Sequence, residues 1–110
     1  MFVFGGVFER HPALKLICAE ADAGWVPHFT HRMDYAYDHH RHHIQTEPLS
    51  KAPSEYFRHN VYLTFQDDLM AFKLRHLCNV RRLMWANDVQ HPRKNVEECA
   101  GKHSRERMGL

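Results

Sequence analysis

Two carboxylates stand at the ends of short apolar runs: Glu20 directly after Leu14 to Ala19 (LKLICA), and Asp88 just beyond Leu83 to Ala86 (LMWA). Runs of this length that break into a polar loop read as buried parallel strands. A carboxylate at the C-terminal end of such a strand can hold a divalent cation or deprotonate a water bound to one. His91 follows Asp88 by three residues and can act beside it as a proton carrier or substrate contact. Each carboxylate also has a plainer explanation. On its residues alone Asp88 reads better as an Asx turn or helix N-cap, and for Glu20 a solvated loop carboxylate or a cap weighs evenly against a ligand.

The run Asp38-His-His-Arg-His-His43 places His39 and His43 four apart, a spacing that on a continuous helix shares one face and can chelate a metal. No further ligand is fixed by spacing, so the run reads first as a polar helix end with protonatable side chains. Trp25, Tyr35 and Tyr37 read as packing residues before a stacking platform. Gln66, Asp67 and Asp68 end another strand-like run, where capping the next helix competes with lining a pocket.

The elements that position these residues alternate. Phe4, Val7 and Phe8 have helical spacing and stop at His11-Pro12, the end of a helix that starts by Phe2. After the first strand, an apolar stripe through Trp25, Val26, Phe29, Met33, Ala36, Tyr37, His40 and Ile44 predicts a helix from Gly24 to about Ile44. Pro53 to Phe57 is a single predicted helical turn, Val61 to Phe65 (VYLTF) a second strand, and Leu69 to Leu77 a helix capped by Asp67 or Asp68. Leu83 to Ala86 is the third strand, and a helix is expected in the polar tail from Pro92 to Leu110. The order is α/β, with about three parallel strands and crossover helices. Three parallel strands expose two unpaired edges, although parallel sheets are normally larger and covered.

Composition narrows the class. With 44% apolar and 25% charged residues the chain is globular, and its net charge of +2 is too small for phosphate-driven nucleic-acid binding. Cys18, Cys78 and Cys99 outline neither a disulfide framework nor a CxxC knuckle, which points to a reducing cytoplasm. No apolar run approaches the ~20 residues of a membrane helix.

The succession of motifs is more specific than any one of them. Gly6 to Trp25 (GVFERHPALKLICAEADAGW), Val26 to Asp34 (VPHFTHRMD), Leu49 to Tyr62 (LSKAPSEYFRHNVY) and Arg81 to His91 (RRLMWANDVQH) resemble, in order and spacing, the region from the sixth to the eighth strand of the amidohydrolase-related family, relatives of aminocarboxymuconate semialdehyde decarboxylase. The resemblance implies the C-terminal part of a (β/α)8 TIM barrel, a fold that takes about 250 residues, so that residues 1–110 form a partial domain. It implies a metal-dependent hydrolase or non-oxidative decarboxylase acting on a small carboxylated or carbonyl substrate, with zinc or manganese as the divalent metal.

The resemblance also reverses the reading of Asp88, which matches the Asp of the eighth strand that binds the metal or handles the proton of the attacking water. Glu20 falls where many members carry a metal-binding His, and a carboxylate there changes metal preference or removes the ligand. After Asp88, Val89-Gln90-His91-Pro92 keeps only the His of the family's aromatic-Pro-His pattern. The ligands of the family's first and fifth strands have no counterpart, so the metal is expected to be incompletely held and the chain alone inactive. A non-catalytic module that associates through open sheet edges, including with a second copy of itself, is the alternative; a small histidine-rich metal carrier is a third. No nucleic-acid or membrane partner is expected.

Overall fold

The computed structural model describes residues 1–43, 46 and 48–86. Helix α1 (Val7–Arg10) is shorter than the sequence predicts, because Gly6 adopts a left-handed conformation (φ 66°) that no helix continues through. Strand β1 (Leu16–Cys18) follows. Helix α2 (Val26–His40) starts with Pro27 in its first turn and buries Val26, Thr30 and Met33, the inner part of the expected stripe. It stops four residues short of Ile44.

Helix α3 (Pro53–Asn60) is two turns long rather than one. Its first turn is fastened from outside: the Ser54 N–H donates to Asp34 Oδ1 of α2 at 2.8 Å, which supplies the acceptor that Ala52 at the N-cap lacks. Its far end runs straight into strand β2 (Val61–Phe65). Asp68 caps helix α4 (Leu69–Lys73), which gives way at Leu74 to two 3₁₀ turns, Arg75–Leu77 and Val80–Arg82, before strand β3 (Leu83–Trp85).

The sheet order is β1-β2-β3, all parallel, with Leu16 opposite Val61 and Leu63 opposite Leu83. Side chains alternate across it. Val61, Leu63 and Phe65 are buried on the side of the helices, where Val61 and Leu63 join Phe8, Val26, Met33 and Phe57 in the core. Tyr62 and Thr64 point the other way and are half-buried, and Ile17, the register partner of Tyr62, is 62% exposed.

Polar groups fasten the helix layer to the strands. Asn60, 2% exposed, donates through Nδ2 to the Pro12 and Leu14 carbonyls at 2.9 and 2.7 Å, holding the approach to β1 against the end of α3. Glu9 accepts hydrogen bonds from the Tyr56 hydroxyl and from Ser50 Oγ, tying α1 to α3. The Tyr56 hydroxyl, and after it Ser50, hold the Glu9 carboxyl below its ordinary pKa.

Two outcomes follow from this architecture. Asn60→Ala removes both bonds and opens a void, and is expected to lower the unfolding free energy by about 2 kcal/mol in a urea titration. With one sheet face and both sheet edges uncovered among the described residues, the chain is expected to gain mass with concentration in light scattering; a monomer at every concentration would show that these surfaces need no cover.

Candidate active site

The backbone ladder between β1 and β2 ends at the pair Cys18 and Leu63, and beyond it side chains of both segments bond backbone N–H groups across the gap. The Glu20 N–H donates to Thr64 Oγ1 at 2.8 Å. Two residues on, Asp22 Oδ1 accepts the Gln66 N–H at 3.1 Å. Two further, Asp68 Oδ2 accepts the N–H groups of both Ala23 and Gly24 at 2.7 Å, while its Oδ1 accepts the Ala71 N–H at 2.9 Å as the cap of α4. Thr64, Gln66 and Asp68 thus face Glu20, Asp22 and Gly24 with the period of the strands that precede them.

The loop they hold is locally strained. Glu20 (φ 57°) and Asp22 (φ 52°) are left-handed although neither is glycine, which costs of order 1 kcal/mol or more each and persists only where surrounding contacts impose it. Gly24 is required by proximity: a Cβ there would lie 2.6 Å from Met70 Cβ and 2.8 Å from Asp68 Oδ1. The Trp25 indole closes the turn by donating Nε1–H to the Ala21 and Asp22 carbonyls at 2.8 and 3.1 Å, and its ring packs edge-on against Phe29 and Phe57. Trp25 is therefore the packing residue its sequence context predicts.

An open cleft of about 430 Å³ lies over this junction, lined by Asp22, Gly24, Trp25, Asp67, Asp68, Leu69 and Met70. A separate apolar groove of about 230 Å³ runs between β3 and α4 on the helix side, lined by Phe65, Phe72 and Trp85 among others. The acidic cleft is the one at the C-terminal strand ends, where α/β enzymes work. Burial pushes the Asp68 carboxyl up, but the N–H groups of Ala23, Ala71, Gly24 and Met70 together hold it below its ordinary value near 3.8. Burial raises the Cys78 thiol, which disfavours a thiolate nucleophile or ligand there.

Glu20 stands where the sequence places it, at the end of β1 and exposed, with its side chain bonded to none of the described residues. Asp88 and His91 lie outside the described residues, as does the tail helix expected from Pro92. The metal-ligand test is negative among the described residues: no three His, Cys, Asp or Glu side chains converge to hold an ion. Both oxygens of Asp68 and Oδ1 of Asp22 already accept backbone N–H groups, whereas the Glu20 carboxylate is exposed beside the cleft rather than part of its lining.

The run Asp38 to His43 is exposed at the end of α2, the polar helix end that its residues predict first. Helix α2 ends at His40, so His39 and His43 share no helix face; His39 instead stacks on Tyr35 with ring centroids 4.1 Å apart and engages the Tyr35 carbonyl through Nδ1. Of the acids after β2, Asp68 is the cap, as capping chemistry allows, and it also reaches across to the neighbouring loop. That second role was missed by sequence reasoning. The signal available was the alternation Thr64, Gln66, Asp68 running on past VYLTF.

No family model and no curated protein matches this chain. Among solved structures, the 5-carboxyvanillate decarboxylase LigW of Sphingomonas paucimobilis superposes with a TM-score of 0.72 at 24% identity, covering 92% of this chain and 30% of that one. The amidohydrolase map2389c of Mycobacterium avium subsp. paratuberculosis K-10 superposes with a TM-score of 0.72 at 22% identity, covering 99% and 27%. The chain accordingly has the fold of one part of a (β/α)8 barrel, as its motifs imply, and it spans less than a third of the length of either enzyme.

The lowered pKa of Asp68 has a definite sign in stability. A carboxylate held below its unfolded value contributes stability fully present above that value and lost as pH falls through the folded one. Acid unfolding of the chain is therefore expected to show a contribution below about pH 4 that Asp68→Ala removes, measured by denaturant titration at a series of pH values.

Proposed function

We propose that the chain supplies the C-terminal strands of an amidohydrolase-type barrel enzyme, a metal-dependent hydrolase or non-oxidative decarboxylase acting on a small carboxylated or carbonyl compound. The observation that carries this reading is the parallel order β1-β2-β3 with Glu20 exposed at the C-terminal end. In this reading Glu20 and Asp88 are the chain's contributions to the reaction chamber, with His91 beside Asp88 to move a proton or contact substrate. Zinc or manganese is the metal the resemblance implies. The described residues do not fit a complete site for it, and in this reading the remaining ligands come from other strands of the barrel.

A second reading, in which the chain acts without catalysis by associating through its sheet, draws on a specific observation: Ile17 on the uncovered face is 62% exposed. That face suits another set of strands, and a second copy of the chain is one source of them. No helix among the described residues is long and apolar enough to cross a membrane. We place the working environment in the cytoplasm, a reading supported by Cys18 and Cys78 being free thiols.

The two readings separate in one set of assays. Hydrolysis and decarboxylation of small carboxylated compounds, with zinc or manganese added, are measured for the 110-residue chain and for an assembly in which the other barrel strands are present. The chain alone is expected to give negligible turnover, and the assembly to be active. In that assembly Asp88→Ala is expected to lower kcat/KM by about a hundredfold or more, whereas His39→Ala and His43→Ala leave it nearly unchanged. Activity that survives Asp88→Ala would remove Asp88 from the chemistry.

A further inference from the structure

We propose that Asp68 is a positioning residue of the reaction chamber, whose carboxylate clamps the loop after β1 and thereby sets where Glu20 stands. The inference rests on the reading of Glu20 given above, but its structural half stands without it.

The geometry separates two roles in one side chain. Oδ1 serves the Ala71 N–H, an ordinary N-cap that concerns α4 alone. Oδ2 serves the Ala23 and Gly24 N–H groups, which lie 45 and 44 residues earlier in another loop. A cap does not need that second oxygen engaged. Gly24 has no side chain to keep the two loops apart, and a Cβ there would strike Asp68 Oδ1 and Met70 Cβ. The close approach is thus built into both partners. Between the clamp and Glu20 lie the left-handed Asp22, whose Oδ1 holds the Gln66 N–H, and the left-handed Glu20, whose own N–H is held by Thr64 Oγ1. A segment with two left-handed non-glycine residues relaxes when released at one end, so the conformation of Glu20 depends on Asp68 four strand positions away. The low pKa of Asp68 agrees with an acceptor of several N–H groups.

Substitution can take the roles apart. In Asp68→Ser the hydroxyl still caps α4 but is too short to reach across to the loop. In Asp68→Asn one oxygen remains and the amide nitrogen cannot accept, so cap and clamp cannot both survive. The full chain provides its own reporter, because the Trp25 indole N–H is bonded to the Ala21 and Asp22 carbonyls inside the clamped segment, whereas the second tryptophan, Trp85, lies on β3.

The experiment is residue-resolved amide exchange and indole N–H spectroscopy on the chain and both variants, with an acid titration of the unaltered chain. Asp68→Ser is expected to speed exchange at Glu20, Ala23 and Gly24 roughly tenfold or more, as loss of a hydrogen bond to a charged acceptor implies. It should shift the Trp25 indole signal while the β1-β2 ladder and Trp85 stay as they were. In the unaltered chain the Ala23, Gly24 and Trp25 signals should move together at one midpoint below the usual carboxylate range. Unchanged exchange and indole signals in both variants, or faster exchange at Ala23 and Gly24 in Asp68→Ser with Glu20 exchange unchanged, would overturn the proposal. So would uniform loss of protection across the whole molecule, which would make Asp68 a residue of general stability. None of these measurements needs a substrate, so an inactive assembly would count against the proposed reaction and leave the clamp standing.

Discussion

The period of two along β2 governs this molecule, because it sends one set of side chains under the helices and leaves the other, among the described residues, only half-buried. Val61, Leu63 and Phe65 sit under helices, while Tyr62, Thr64 and the neighbouring Ile17 look out on the opposite side. Parallel strands are stable where helices or further strands close both faces. The helix layer follows from this constraint: α2 and α3 lie together and bury Val26, Met33, Tyr56 and Phe57, the aromatic cluster around Trp25 seals their upper end, and Asn60 and Asp34 fasten the joints. The open side follows from it as well. In a (β/α)8 barrel that side is the packed interior, which is why a segment this short superposes so well on parts of much larger enzymes.

At the C-terminal edge the same alternation is turned to a different use. Where the ladder stops, amides of the β1 loop lose their strand partners, and an unpaired N–H away from water is expensive. Thr64 and Asp68 meet that need with side-chain oxygens that accept the Glu20, Ala23 and Gly24 N–H groups, and between them the bond runs the other way, from the Gln66 N–H to Asp22 Oδ1. The rim is therefore shaped by neighbouring strands reading one another, before any ligand enters. Such prior shaping is what a reacting group requires, since catalytic electrostatics reward groups that need no rearrangement at the moment of reaction.

The strands and their order were legible because hydrophobic runs bounded by polar loops are local features, and Val61 to Phe65 matched the sequence expectation at both ends. Helix ends were less so, for reasons outside the local pattern. The stripe of α2 continues to Ile44, yet the helix stops at His40 amid consecutive histidines that contribute nothing to the core. Helix α3 gained a turn because Asp34, twenty residues earlier, caps it and because Tyr56, Phe57 and Asn60 all found burial. Glu20 was legible by position, as the first polar residue after an apolar strand. The clamp was not, since a capping Asp looks the same in sequence whether its second oxygen faces water or another loop.

The division among the carboxylates at this edge bears on what the edge can do. Asp22 and Asp68 are engaged with backbone N–H groups, which limits their freedom to meet a ligand, and in Asp68 the four N–H groups also hold the carboxyl below its ordinary pKa. Glu20 contributes its backbone N–H to the same network and keeps its carboxylate exposed. A carboxylate on a fixed backbone but with a free head is suited to ligation or proton transfer, whereas one whose oxygens are both bonded is suited to holding shape. Counting acids at a strand end would assign Glu20 and Asp68 one role, and their hydrogen bonds assign them two, with Asp22, bonded through Oδ1 alone, between them.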